Sequence, residues 1–444
     1  MRNGSTRAWC ALFALAAAVL VGLVLYNTLR LEGSYTPDSL FYIDAARNLN
    51  AGRGLSSSMA ELDRLMAADQ ALPVSFTLWA PMYPLAIAGV ALTGIPPTAA
   101  AFVVAVVAYG GVLFAAFLLA QRMAGPVAGA LAVGLLAHLP PLLMCGQTAW
   151  SETLGLTFLL LSLWLLARPR SDDGQNVRQL LEPNLAGVLA GLAFATRYAL
   201  GPIVVLGPAV YLAQRGRSGW RQAAAFGAGG AVAVLPVALR NFTRSGIPAG
   251  GGATASEVTF ADIAWRALAA MRESYWQDSF LFRAIVVAMI IAVGASVVWQ
   301  RIRPKNPLEA TKSFWPNARV LASWAALYLA FLLVAQLRVR VDPLNVRLLL
   351  PVLVVVPPLV AAALVRYALP QRVAAGFAAV LLAVAIVPQA NNARLIAGMR
   401  LPPVYDVAER IPAVGAIAWL AERVQPHDFI IAEDGLDLPF YLGP

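Results

Sequence analysis

Asp38 is the residue whose type and place point most directly to chemistry. It follows Pro37 shortly after the first long apolar run, Trp9 to Leu29, and precedes the amphipathic stretch Leu40–Leu49. A carboxylate at such a lipid–water boundary can serve as general base to a hydroxyl or amine, or ligate a cation. The competing role is helix capping, which Asp and its neighbour Ser39 both suit. Glu152 poses the same choice in the turn 147–153, where the dipole of the following helix favours a carboxylate. Three arginines stand near the ends of apolar runs: Arg197, Arg240 and Arg347. Guanidinium forks match phosphate oxygens, so convergence on one leaflet would suit a lipid phosphate. Snorkelling to headgroups, or pairing with a local acid such as Asp342, is the alternative for each. Tyr42 and Tyr83 fit either a substrate pocket or an interfacial aromatic belt. His138, beside Pro140 and Pro141, reads as a packing residue within a span.

The elements that must carry these residues follow from composition. Of 444 residues, 60% are hydrophobic and 13% charged, against about 45–50% and about 25% in soluble domains. Apolar runs near the length that crosses about 30 Å of hydrocarbon recur along the chain. The expected fold class is therefore an all-α polytopic membrane protein. Eleven spans are expected, at 9–29, 97–121, 127–146, 152–167, 184–197, 200–214, 222–239, 283–300, 319–336, 348–365 and 373–388.

Charge orients them. With the N-terminus inside, the inward-facing segments hold 16 basic residues against four acids, as the positive-inside rule requires. Asp38, Glu152 and the three arginines then fall on the outer side, and the first outside loop spans 30–96. Within it, 40–49 reads as a helix lying on the bilayer surface, 59–70 as a second, and the run ending near Thr93 as interfacial or re-entrant. A second outside loop spans 240–283 and places Trp265 and Trp276 on an interfacial helix. Residues 1–388 form the transmembrane domain, and 389–444 read as an outside segment that begins a small α/β module, possibly incomplete.

Several function classes are excluded or weakened. The net charge of +10 is dispersed over short loops, whereas a nucleic-acid binder concentrates it on a soluble module. Cys10 and Cys145 lie in apolar runs and form no metal or disulfide framework. No Walker motif, zinc spacing or dinucleotide loop is present.

The ordered set Pro37-Asp38-Ser39-Leu40-Phe41-Tyr42, Pro81-Met82-Tyr83-Pro84-Leu85 and Ser151-Glu152 resembles the GT-C glycosyltransferases, in particular the protein O-mannosyltransferase and lipid A aminoarabinose transferase superfamily. Thr196-Arg197-Tyr198, Arg240-Asn241 and Arg347-Leu348-Leu349-Leu350-Pro351 are also similar to that group. The resemblance implies a polyprenyl-phosphate sugar donor, a glycan, lipid or protein acceptor, and a site on the extracytoplasmic face of a bacterial inner membrane. Asp38 becomes the essential acid, Glu152 the second-loop acid, and the three arginines a phosphate clamp. Many members carry Asp-Glu where this chain has Asp38-Ser39, which weakens any role for a divalent metal. The rival class is a secondary transporter or lipid flippase, which places charged sites near the bilayer midplane in repeated halves. No internal repeat is visible here.

Overall fold

The computed structural model describes residues 2–59, 74–167, 178–247, 258–275, 311–338 and 344–399, with 403 and 423 singly. Helix α1 (Arg2–Asn27) ends in a wide π-turn, Thr28–Glu32. Gly33 then turns the chain, and a Cβ there would stand 2.5 Å from the Thr28 carbonyl and 2.8 Å from the Phe102 ring. Only glycine permits that approach. Next come α2 (Pro37–Asn50), the strands β1 (Ser56–Ser57) and β2 (Val74–Ser75), α3 (Met82–Ala91) and α4 (Pro97–Ala124). The two strands pair antiparallel, Ser56 with Ser75 and Ser57 with Val74.

Helices α5 (Pro126–Ala137) and α6 (Pro140–Gln147) meet at a bend of 71°. At the bend, His138 Nε2 lies 2.8 Å from the Leu381 carbonyl, the packing role expected for this residue. There follow α7 (Glu152–Leu166), α8 (Arg178–Thr196), α9 (Pro202–Arg215), α10 (Trp220–Ser245), α11 (Phe260–Tyr275) and α12 (Thr311–Arg338). Last come α13 (Val346–Leu353), α14 (Val356–Ala363) and α15 (Gln371–Gly398). Proline occupies the first residue of α2, α4, α5, α6 and α9, where its fixed φ is preorganised and its missing N–H costs nothing.

Helices stand at ten of the eleven expected span positions, and the remaining one, 283–300, lies outside the described residues. By length and apolarity, six described stretches qualify to cross a membrane, or seven with the bent α5–α6 pair. The expected count of eleven is therefore not reached on this criterion. The difference lies in α7 and α8, whose apolar parts are short, in the stretch Tyr198–Ser245, which contains both α9 and α10, and in 283–300, outside the described residues. The chain is an integral, multi-pass membrane protein. At 1.5 Å per residue α3 is about 15 Å long, half a hydrocarbon core. The expected segments 59–70 beyond Met59, Trp276, Asp342 and the C-terminal α/β module lie outside the described residues, while α15 continues past Pro388 to Gly398.

One expectation needs correction. The apolar face of helix α2 is not laid on lipid: Ser39 to Ala46 and Asn48 are all buried in protein. Its apolar face packs on α3 and α4, in a small core that includes Phe41, Tyr42, Phe76, Tyr83 and Phe102. Amphipathic spacing shows that a face needs an apolar partner, and protein supplies it here rather than lipid.

The α8–α10 pair fixes the other side of the site. A Cβ on Gly187 would stand 2.0 Å from the Phe226 carbonyl, and one on Gly229 would stand 2.0 Å from the Asn184 carbonyl. One turn after Gly187, a Cβ on Gly191 would meet the Gly230 carbonyl at 2.6 Å. Small residues let the two backbones touch, the usual source of helix association where lipid removes the hydrophobic driving force. This crossing sets the ends of α8 and α10, and so the places of Arg197 and Arg240.

Candidate active site

Helix α2 is capped by Thr36, not by Asp38. Thr36 and Ser39 exchange side-chain and backbone hydrogen bonds in a reciprocal capping box. The Asp38 carboxylate is left free to face the protein interior. Glu152 is not a cap either, and Ser151, which precedes α7, makes no side-chain capping bond.

Both carboxylates meet Arg347 instead. Its Nη2 donates to Asp38 Oδ2 at 2.9 Å, and its Nε donates to Glu152 Oε1 at 2.6 Å. Arg197 Nη1 pairs with the same Glu152 oxygen. Two acids and two arginines from four separate regions of the chain thus form one neutral cluster.

Each arginine is aimed by its local structure. Arg197 sits in extended conformation at the break between α8 and α9 (φ −148°, ψ 118°), which turns its side chain away from both helix barrels. Arg347 lies in the first turn of α13, whose start is fixed by Asn345 accepting from the Leu348 N–H. Helix α13 is tied to α12 by Trp324 Nε1 donating to the Pro351 carbonyl and Tyr328 OH donating to the Leu348 carbonyl, both at 3.0 Å. The Arg347 guanidinium lies 3.8 Å from the centre of the Trp150 ring, a cation–π contact. Trp150 in turn donates through Nε1 to Thr36 Oγ1 at 2.7 Å. Thr36 and Trp150 are therefore parts of the site that the sequence reading did not assign. The only sequence signal for them is adjacency, Thr36 to Asp38 and Trp150 to Glu152.

Accessibility separates the roles. The Asp38 side chain is 29% exposed and that of Arg347 21%, whereas Glu152 is 2% exposed. Glu152, expected as a second acid that orients the acceptor or the first carboxylate, is buried beside Asp38's partner Arg347. It stands behind the arginines, and its Oε2 is buried with no hydrogen-bond partner. Tyr42 and Tyr83 are buried in protein rather than set in an aromatic belt. Tyr42 OH lies 3.1 Å from Ser151 Oγ, and burial pushes its phenol well above the ordinary range, so it stays neutral. Tyr83 packs edge-on against Tyr42 with ring centres 5.0 Å apart and donates to the Ala101 carbonyl at 2.9 Å. Tyr42 backs the cluster, and Tyr83 backs Tyr42.

Arg240 does not join the others. Its Nη1 donates to the Phe76 carbonyl and its Nη2 to the Leu55 carbonyl, each at 2.7 Å. Those residues flank the β1–β2 ladder, so Arg240 straps the first loop to α10. The next residue, Asn241, donates to Tyr198 OH at 2.8 Å and links this strap to the chain beside Arg197. Among the described residues no group of three or more His, Cys, Asp or Glu side chains is gathered to hold a metal ion. Asp38 and Glu152 face guanidinium groups rather than each other.

The chain matches the crystal structure of ArnT from Cupriavidus metallidurans bound to undecaprenyl phosphate with a TM-score of 0.57 and 14% identity, over 98% of this chain and 84% of that one. The chain has the GT-C fold. Residues 79–240 match the family described as dolichyl-phosphate-mannose-protein mannosyltransferase, in line with the resemblance carried by the motifs. The apo structure of the same ArnT matches at a TM-score of 0.49 and 15% identity, over 99% and 85% of the two chains. The Archaeoglobus fulgidus oligosaccharyltransferase in its apo form matches at 0.47 and 13%, over 98% of this chain and 64% of that one. No protein of curated function matches the chain. The matched family and the GT-C fold together support membrane glycosyl transfer.

Proposed function

We propose that the protein transfers a sugar from a polyprenyl-phosphate donor to a glycan, lipid or protein acceptor on the extracytoplasmic face of a bacterial inner membrane. The observation that carries this reading is the Arg347 guanidinium joining Asp38 to the buried Glu152. A partly exposed carboxylate beside two anchored cations is what in-line transfer from a lipid phosphate requires.

Asp38 takes the proton from the acceptor hydroxyl or amine. The acceptor atom bonds to the anomeric carbon as the bond from that carbon to the phosphate oxygen breaks. The electron pair leaves with polyprenyl phosphate, and the anomeric configuration inverts. Arg197 and Arg347 stabilise the charge that develops on the leaving phosphate. Glu152 holds both guanidinium groups in place from behind, so it is a positioning residue in this scheme. Arg240 is left out of the clamp because its Nη1 and Nη2 donate to the Phe76 and Leu55 carbonyls, which ties it to the first loop rather than to the cluster.

The test is release of free polyprenyl phosphate from a panel of polyprenyl-phosphate sugars by the purified protein in lipid nanodiscs. Release that requires an acceptor and is lost in Asp38→Asn supports transfer. Binding without release, followed by movement of the intact lipid-linked sugar between leaflets, would favour a flippase.

A further inference from the structure

A cavity of about 470 Å³ lies beside the ion-pair cluster, lined by Glu32, Ser34, Pro140, Met144, Gln147 and Val346 among others. Its size falls within the range of small-ligand sites. Glu32 closes the first apolar span. Nothing in the transfer chemistry above uses Glu32.

We infer that this cavity is a subsite for the hydroxyl-rich ring of a carbohydrate, with Glu32 as the residue that reads the hydroxyls. The π-turn at the end of α1 presents the Glu32 carboxylate, and two neutral amides fix it from two other elements. Gln147 Nε2, at the end of α6, donates to Oε2, and Asn392 Nδ2, on α15, donates to Oε1 at 2.6 Å. Among the described residues no Lys or Arg pairs with Glu32. Each carboxylate oxygen accepts one of these bonds and keeps lone-pair capacity for another. The result is a rigid pair of charged acceptors, spaced to bind two neighbouring hydroxyls through charge-assisted hydrogen bonds. Pro140, Met144 and Val346 supply an apolar wall for the C–H face of a ring. A phosphate is the wrong occupant, because no Lys or Arg among the described residues offsets the carboxylate it would face.

The cavity is continuous with the cluster through two paired runs of chain. Ser34 and Thr148 form a parallel bridge, with their hydroxyl oxygens 3.0 Å apart. One run leads from Glu32 through Thr36 to Asp38, and the other from Gln147 through Trp150 to Glu152. Val346 lines the cavity, and the next residue is Arg347. A ring held at Glu32 therefore lies next to the phosphate-binding arginines, whether it is the donor sugar or a sugar of the acceptor. Carbohydrate binding stands on the cavity itself, and only the assignment of its source rests on the proposed transfer.

The test is saturation-transfer NMR of a panel of methyl glycosides against the full chain in nanodiscs. At least one glycoside receives saturation from the wild type. Its affinity falls about tenfold or more in Glu32→Leu and Asn392→Leu and is kept in Gly227→Ala, where an added Cβ meets nothing within 4 Å. Glu32→Gln, which preserves shape, gives a partial loss and guards against misfolding of the leucine variants. Displacement of the glycoside by a polyprenyl-phosphate sugar, but not by polyprenyl phosphate alone, assigns the subsite to the donor. Retention in the presence of both assigns it to the acceptor. No binding across the panel, or full binding by Glu32→Leu, would overturn the inference. Glycoside binding by a protein that releases no polyprenyl phosphate would instead sink the transferase reading and leave the subsite standing.

Discussion

Asp38 and Arg347 are 309 residues apart in sequence and joined by a 2.9 Å hydrogen bond. That bond closes the loop between the first and the late helices of the bundle, and it leaves Asp38 as the more exposed of the two acids. Arg347 serves two carboxylates at once, so its geometry matters as much as its charge.

Arg347→Lys tests that geometry. An ammonium cannot reach Asp38 and Glu152 as a fork does, and the cation–π contact with Trp150 weakens. Donor affinity in a binding assay is expected to fall by about tenfold to a hundredfold, the loss of about 1.4–3 kcal/mol of charge-assisted hydrogen bonding. Unchanged affinity would remove Arg347 from the phosphate site.

Glu152→Gln leaves two partly buried guanidinium groups facing each other with no buried counter-charge. Removing one partner from a buried ion pair costs about 3–5 kcal/mol. A marked fall in melting temperature is expected in nanodiscs, and Arg240→Ala, which loses only a strap to loop carbonyls, is expected to fall less. Equal losses would show that Glu152 is no keystone of the cluster.

Much of this site could be read from the chain before its fold, because charges in an apolar sequence are conspicuous. Asp38, Glu152, Arg197 and Arg347 were all legible on that ground. Arg240 looked the same as Arg197, an arginine at the end of an apolar run, and only the fold shows that it is bonded to loop carbonyls. The cap of α2 was legible only in part, since Thr36 with Ser39 lacks the Glu or Gln that marks the usual capping box. The burial of α2 in protein was not legible, because helical spacing of apolar residues does not say whether lipid or protein covers them. Glu32, Gln147 and Asn392 come from distant segments and share no local pattern.

Gly187→Ala probes the crossing that places Arg197. The added Cβ would meet the Phe226 carbonyl at 2.0 Å, a backbone atom that cannot rotate away. Overpacking of this kind costs about 1–3 kcal/mol, so lower thermal stability is expected together with reduced turnover. Gly227→Ala, with open space around its Cβ, serves as the control on the same pair of helices.

Asp44 sets a pH dependence of stability. Burial raises its carboxyl above the ordinary value of 3.8, although Ser57 Oγ and the Ser58 N–H donate to it at 2.9 and 2.6 Å. A folded value above the unfolded one means that its contribution is complete below the ordinary carboxylate range. It is lost as pH rises through the raised value. Melting of Asp44→Asn against wild type from pH 4 to 8 is expected to shift in favour of the variant as pH rises. A constant difference would show that Asp44 does not titrate in this window.

Turnover by Asp38→Asn tests glycosyl transfer most directly. With the wild type in nanodiscs, a polyprenyl-phosphate sugar and an acceptor, release of polyprenyl phosphate is measured beside donor binding. General base catalysis contributes about 10²–10⁴-fold, so Asp38→Asn is expected to lose at least a hundredfold in release while still binding donor. Wild-type rates in Asp38→Asn would contradict the role of Asp38 as the base.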